Sequence, residues 1–158
     1  MEAAIKGAAD WVCRFDLMDD STSSVSTGDY SLPHDIFLTA LRADGYAISR
    51  LTKCCVLIEL TCPLEENITQ WHATKTDKYA ELRIEAELKG WKVFFLVVEV
   101  GARGWIPPST TGQLRAMGLA PSRVRALGKK LSDIAQKSSY VIWINRFNKN
   151  FNIARIRE

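Results

Sequence analysis

The stretch Val56 to Lys78, VLIELTCPLEENITQWHATKTDK, decides the fold, because a strand pattern gives way to a helical one across a single proline. Cys54 to Leu60 is an almost continuous apolar run of strand length, rich in branched residues, and it predicts a strand covered on both faces. Pro63 ends that strand, and Glu65, Glu66 and Asn67 supply acidic and capping residues for the first turn of a helix. The helical pattern runs to about Lys89, where Gly90 stops it. Ile68, Trp71, Lys75, Lys78, Tyr79 and Leu82 recur at three- and four-residue spacing, which sets Lys75, Lys78 and Tyr79 beside the face that packs on the sheet.

Glu59 interrupts the apolar strand near its end. A carboxylate there is costly unless it is paired or binds a cation, and a divalent ion is the usual stabiliser. A second carboxylate comes from Leu41 to Ser49, LRADGYAIS, where Asp44 opens the expected neighbouring strand, joined to the first by the short turn Arg50 to Lys53. Hairpin pairing of the two strands brings Asp44 and Glu59 together, and two acidic groups at hard-metal distance favour Mg²⁺ or Mn²⁺ with several waters retained. Lys75 and Lys78 have two readings. They either snorkel at the helix edge, with Lys78 paired to Glu81, or one of them aims its ammonium at the metal site to orient water and offset phosphate charge.

Trp91 to Val100, WKVFFLVVEV, reads as another buried strand, and the order strand, helix, strand predicts a right-handed crossover with parallel pairing, hence a mixed sheet. Glu99 ends this strand as either a third acidic group or the partner of Arg103, the ion pair being preferred. Gly101 to Gly104 suggests a tight turn, since neither GxxxxGK[ST] nor GxGxxG occurs. Upstream, Trp11 to Leu17 alternates as an edge strand after a short alanine-rich helix at Met1 to Ala9, and Asp19 to Ser31 has the composition of a flexible loop. Downstream, Pro107 to Thr110 caps a short helix to Met117, and a longer one runs from Ser122 to about Lys137. Ser139 to Phe147 fits helix or strand equally, and Phe151 to Ile156 alternates as a further edge strand. His34 and His72 are read as carrying no ligand.

The chain of 158 residues is expected to be one α/β domain with no internal repeat, and 47% hydrophobic residues suffice for a core. The absence of a spanning apolar run and of a basic or hydrophobic leader at MEAAIKGAADW leads to the expectation of an intracellular protein without membrane attachment; a nuclear location is expected as well, on grounds other than this absence. Cys13, Cys54, Cys55 and Cys62 lack CxxC spacing and argue against structural zinc. From Gly101 onward, Arg103, Arg115, Arg123, Arg125, Lys129, Lys130, Lys137, Arg146, Lys149, Arg155 and Arg157 face only Asp133 and Glu158. That third is either a phosphate-facing surface or a solvated helix face.

Taken together, Arg42-Ala43-Asp44, Ile58-Glu59-Leu60-Thr61, Lys75-x-x-Lys78-Tyr79 and Glu99-Val100-Gly101-Ala102-Arg103-Gly104 resemble the restriction-like endonuclease domain of site-specific non-LTR retrotransposons, within the PD-(D/E)xK nuclease superfamily. The resemblance spans nearly the whole chain from Trp11. It implies a restriction-endonuclease-like mixed sheet flanked by helices, with a basic helical C-terminal part. It matches Asp44 and Glu59 to the Mg²⁺ or Mn²⁺ carboxylates, Lys75 or Lys78 to a catalytic lysine moved onto the helix, and Tyr79 to a recurring tyrosine of that helix. Thr61 stands where the strand lysine would be, and Ala43 replaces the usual proline, which is expected to loosen the turn. The implied activity is nicking of duplex DNA for retroelement insertion, with Arg103, Arg115, Arg123, Arg125, Lys129 and Lys130 contacting phosphates. With no reverse transcriptase motif or zinc knuckle present, the chain would act with other domains of a reverse-transcriptase-containing polyprotein or as a stand-alone derivative. The rival expectations are a nuclease fold that only binds nucleic acid and a fold that serves as an interaction scaffold.

Overall fold

The computed structural model describes residues 5–16 and 30–151. Its centre is a four-stranded mixed sheet of order β1-β2-β3-β4, comprising β1 (Val12–Phe15), β2 (Gly45–Ser49), β3 (Cys54–Thr61) and β4 (Lys92–Glu99). The first three strands are antiparallel neighbours, and β3 pairs in parallel with β4, as the continuous apolar character of both predicts. The β2–β3 turn falls where the polar run Arg50 to Lys53 places it, with Lys53 at positive φ.

The register assigns each side chain to a face. Cys55, Leu57, Glu59 and Thr61 alternate with Val56, Ile58 and Leu60, and in the parallel pair Glu59 lies opposite Val97 and Thr61 opposite Glu99. One face holds Ile48, Cys55, Leu57 and Val93 in a cluster with Ile36, Phe37, Tyr79, Leu82 and Ala86. The other holds Val56, Leu96 and Val98 against Leu114 and Val124.

The helical stretch after Pro63 departs from the single helix that its periodicity suggests. A 3₁₀ turn, Glu65–Asn67, leads into α1 (Ile68–Lys78), and α2 (Ala80–Leu88) follows after a break at Tyr79, whose backbone leaves helical geometry at φ −108, ψ 5. The physical reason is tertiary. Tyr79 is fully buried, stacked against Phe95 with ring centroids 5.9 Å apart and hydrogen-bonded beneath the sheet end, so its anchorage overrides continuous helical geometry. Trp71 and Lys78, placed by spacing beside the packed face, are exposed. Gly90, at φ 78, ends α2 as expected.

Beyond β4, α3 (Pro108–Ala116) and α4 (Pro121–Asn145) each begin with proline in the first turn, where its missing N–H is no loss. Ser139 to Asn145 resolves as helix, so α4 is longer than the predicted Ser122 to Lys137. Val124, Leu127, Leu131 and Ala135 form its inward stripe at helical spacing. Of the predicted helix at Met1 to Ala9, residues 1–4 lie outside the described residues, and Ile5 and Lys6 are helical before a turn at Gly7; the loop at Asp19 to Ser31 and the edge strand at Phe151 to Ile156 lie largely outside them. Among the described residues no helix is long and apolar enough to cross a membrane.

Leu57 is 1% exposed at the middle of β3, so Leu57→Ala opens a cavity beneath α2. The expected loss is about 2–5 kcal/mol of stability, read as a lower urea midpoint at unchanged slope.

Candidate active site

The carboxyl ends of the parallel strands β3 and β4 meet α1 in a cluster of charged side chains. Asp44 lies one residue before β2, one step beyond the Gly45–Ile58 pair, and its Oδ2 accepts the Leu60 N–H at 2.7 Å. The hairpin thus sets Asp44 beside the segment that carries Glu59. Glu59 is 3% exposed, and its two oxygens have different donors: the Lys75 ammonium at Oε2 and the Tyr79 hydroxyl at Oε1. The Tyr79 hydroxyl also lies 2.9 Å from the Arg42 carbonyl oxygen, and its single proton serves the carboxylate, the stronger, charge-assisted acceptor. Burial, and then the adjoining Glu59 carboxylate, push the Tyr79 phenol well above the ordinary tyrosine value, so it remains a donor.

Asp44, Glu59, Lys75 and Tyr79 therefore come together, and Lys78 does not join them. Its ammonium sits outside, 4.7 Å from the centre of the Tyr79 ring, in a cation–π contact. On helical spacing alone Lys75 lacks a carboxylate partner, but the fold supplies Glu59 from the neighbouring strand, so Lys75 is a paired cation.

Glu99 corrects a sequence expectation. Its partner is not Arg103: its Oε2 accepts from Ser109 Oγ at 2.6 Å and lies 3.1 Å from His72 Nδ1. The last contact is an ion-pair distance without hydrogen-bond alignment, since the buried Nδ1 has no aligned acceptor among the described residues. Thr110 Oγ1 accepts the Glu99 N–H at 2.9 Å and returns a bond to its carbonyl at 3.0 Å, fixing the start of α3 to the end of β4. Arg103 instead binds Glu65, with Nε to Oε2 at 2.6 Å and its backbone N–H to Oε1 at 2.8 Å, and reaches Glu66 at 3.0 Å. Burial works against the Glu65 charge, and the hydrogen bonds from Arg103 outweigh it, so Glu65 titrates below the ordinary glutamate value. A Cβ at Gly101 would collide with the Glu65 side chain, so glycine is what lets this turn close over the start of the 3₁₀ segment.

The remaining basic residues stand apart from this cluster. Arg123, Arg125, Lys129 and Lys130 are exposed on α4, off its buried stripe, and Arg115 is exposed in the last turn of α3, on elements that pack against the opposite sheet face. Arg103 is two-thirds exposed and already holds two carboxylates. His34 is exposed, as expected. His72 is the member missed by sequence reading. Its one available signal was its place three residues before Lys75 on the helix face that carries Tyr79.

No group of three or more His, Cys, Asp or Glu side chains suited to a metal ion occurs among the described residues. Asp44 and Glu59 nonetheless retain lone pairs, because a carboxylate offers about four acceptor sites and the contacts above take one from Asp44 and two from Glu59. Such a pair suits a hard ion that keeps most of its water. Comparisons with protein-family models, with curated proteins and with solved structures find no match.

Tyr79→Phe preserves the stack on Phe95 and removes one donor from a buried carboxylate. It should cost about 1–3 kcal/mol in urea unfolding. An unchanged midpoint would mean that Glu59 does not depend on the phenol.

Proposed function

We propose that the chain is a metal-dependent DNA endonuclease that nicks duplex DNA by phosphodiester hydrolysis, acting within or alongside retroelement machinery, in keeping with its resemblance to restriction-like endonuclease domains. The observation that carries this reading is the meeting of Asp44, Glu59, Lys75 and Tyr79 at the ends of strands adjoining an exposed helix. Asp44 and Glu59 would hold Mg²⁺ or Mn²⁺, which when bound supplies Lewis acidity and a more acidic water. Tyr79 fixes the Glu59 carboxylate by a hydrogen bond from below. Lys75 offsets the Glu59 charge and, at the edge of the site, stabilises charge that builds on an attacked phosphate. The exposed cations of α3 and α4 give a sequence-independent hold on the backbone.

A second reading, a nucleic-acid-binding module without turnover, is favoured by one feature: both oxygens of Glu59 already have protein donors. Cleavage of supercoiled plasmid with Mg²⁺, Mn²⁺ or EDTA separates the two. Asp44→Ala and Glu59→Ala should each abolish metal-dependent nicking with DNA binding retained, and nicking that survives in both variants refutes the site. Lys75→Ala should slow single-turnover cleavage by about 10²–10³-fold, the scale for losing one charge-stabilising donor. Lys78→Ala, which lacks contact with Glu59, should slow it less.

For the basic surface, the expected signature is electrostatic. Replacing Arg125 or Lys129 by alanine should weaken binding equally on unrelated sequences and lower the salt slope by about 0.9 per lost phosphate contact. An unchanged slope in fluorescence anisotropy would return these residues to the role of a solvated helix face.

A further inference from the structure

Glu99 is the most demanding group among the described residues that the proposed mechanism leaves unused. It is 0% exposed, its Oε1 is buried with no hydrogen-bond partner among the described residues, and the nearest cationic or ionisable neighbour of its other oxygen is His72. A buried carboxylate with an orphan oxygen costs stability and needs a compensating role. Ser109 and Thr110 hold its side chain and backbone rigidly, so the fold fixes Glu99 rather than tolerating it.

Placement supplies the role. In the parallel register Thr61 is opposite Glu99 and Glu59 is opposite Val97, so both glutamates project from the same sheet face, two residues apart along the strands. That is about 6.6 Å. On α1, which lies against this face, His72 and Lys75 are three residues apart, about 4.5 Å along the axis. The contacts follow the same order, His72 to Glu99 and Lys75 to Glu59. A water or phosphate oxygen seated between the two rungs is therefore within reach of both the imidazole and the ammonium. The His72 side chain is 35% exposed, so its ring has an open side, whereas its Nδ1 atom is buried toward Glu99. With Nδ1 3.1 Å from the Glu99 carboxylate, the neutral tautomer that carries its proton on Nδ1 is the electrostatically favoured one although that N–H is not aligned on Oε2, and it leaves Nε2 with its lone pair free.

We propose that His72, oriented by Glu99, is the general base of this site. The inference rests on the nuclease reading and extends it. As the water oxygen bonds to phosphorus, its proton passes to His72 Nε2. The bond from phosphorus to the leaving ester oxygen breaks with its electron pair on that oxygen, which takes a proton from solvent, and His72 then releases its own proton to solvent. Glu99 touches no reacting atom and is a positioning residue that stabilises the imidazolium as it forms.

The test is single-turnover cleavage of supercoiled plasmid in Mg²⁺ by the full chain and its His72→Ala, His72→Gln, His34→Gln and Asp44→Asn variants, with thermal midpoints measured in parallel. His72→Ala and His72→Gln should both lose about 10²–10⁴-fold in rate, the range of general base catalysis, while His34→Gln keeps the wild-type rate. Added imidazole should restore a substantial part of the His72→Ala rate and none of the Asp44→Asn rate. Should His72→Ala fail to fold, the rate of His72→Gln decides. Wild-type rates in the His72 variants beside an inactive Asp44→Asn overturn the assignment and leave the nuclease reading standing. A slow, folded His72→Ala that imidazole does not rescue also overturns it, reducing His72 to a packing role. A wild-type chain that cuts no plasmid with any divalent ion removes both readings together.

Discussion

A carboxylate on a central strand, 3% exposed, is the constraint to which the surrounding structure answers. In low dielectric an unpaired Glu59 would be costly by several kcal/mol, and only donors fixed by the fold can offset that. Two are provided, from positions four residues apart on the segment that follows β3: the Lys75 ammonium and the Tyr79 hydroxyl. Because both come from the crossover between two parallel strands, the ion pair and the βαβ topology hold each other in place. The helix cannot shift along its axis without separating Glu59 from its donors, and the strand cannot slip in register without turning Glu59 to the opposite face.

The same demand accounts for the break between α1 and α2. A continuous helix from Ile68 to Leu88 would keep every backbone bond, yet the Tyr79 ring has to enter the core beside Phe95 with its hydroxyl under Glu59. Burying a tyrosine and satisfying a buried charge outweigh one irregular helical turn, since a typical backbone hydrogen bond nets only about 1 kcal/mol. Glu99 is handled differently. Serine and threonine at the start of α3 fasten it, and His72 approaches one oxygen without completing a hydrogen bond, so this rung is less satisfied than the one at Glu59.

The parts legible in the sequence were those written in local pattern. The apolar runs at Cys54 and Trp91, Pro63, Gly90 and the turn at Arg50 to Lys53 gave strand positions, pairing sense and the start of the helical region, because periodicity and breakers report directly on backbone state. Partnership across elements was not legible. Arg103 was read as the partner of Glu99, four residues away, but the turn at Gly101 and Gly104 carries it to Glu65 at the start of the 3₁₀ segment, where a Cβ at Gly101 would not fit. Lys75 looked unpaired along its own helix, and His72 looked like a lone surface histidine, because each has its acidic partner on a strand. The ambiguity at Ser139 to Phe147 resolved toward helix through Asn145, continuing α4 past its inward stripe of Val124, Leu131 and Ala135 with Tyr140, Ile142, Trp143 and Ile144 exposed.

Ala43, where a proline was expected from the resemblance, bears on how firmly Asp44 is held. Proline would restrict the chain by covalent means, and alanine gives up that restriction. The fold restores it by other contacts. Ala43 itself is 1% exposed within the core that contains Phe37 and Tyr79. On one side Arg42 makes a two-point ion pair with Asp16, with Nε at 3.1 Å and the second nitrogen at 2.6 Å, lies over the Tyr30 ring, and presents its carbonyl to the Tyr79 hydroxyl. On the other, the Asp44 carbonyl accepts the Asp16 N–H at 2.9 Å while its carboxylate takes the Leu60 N–H. Both neighbours of Ala43 are thus tied to the end of β1 and to β3. Asp44 is held in place by hydrogen bonds and packing where a ring was expected.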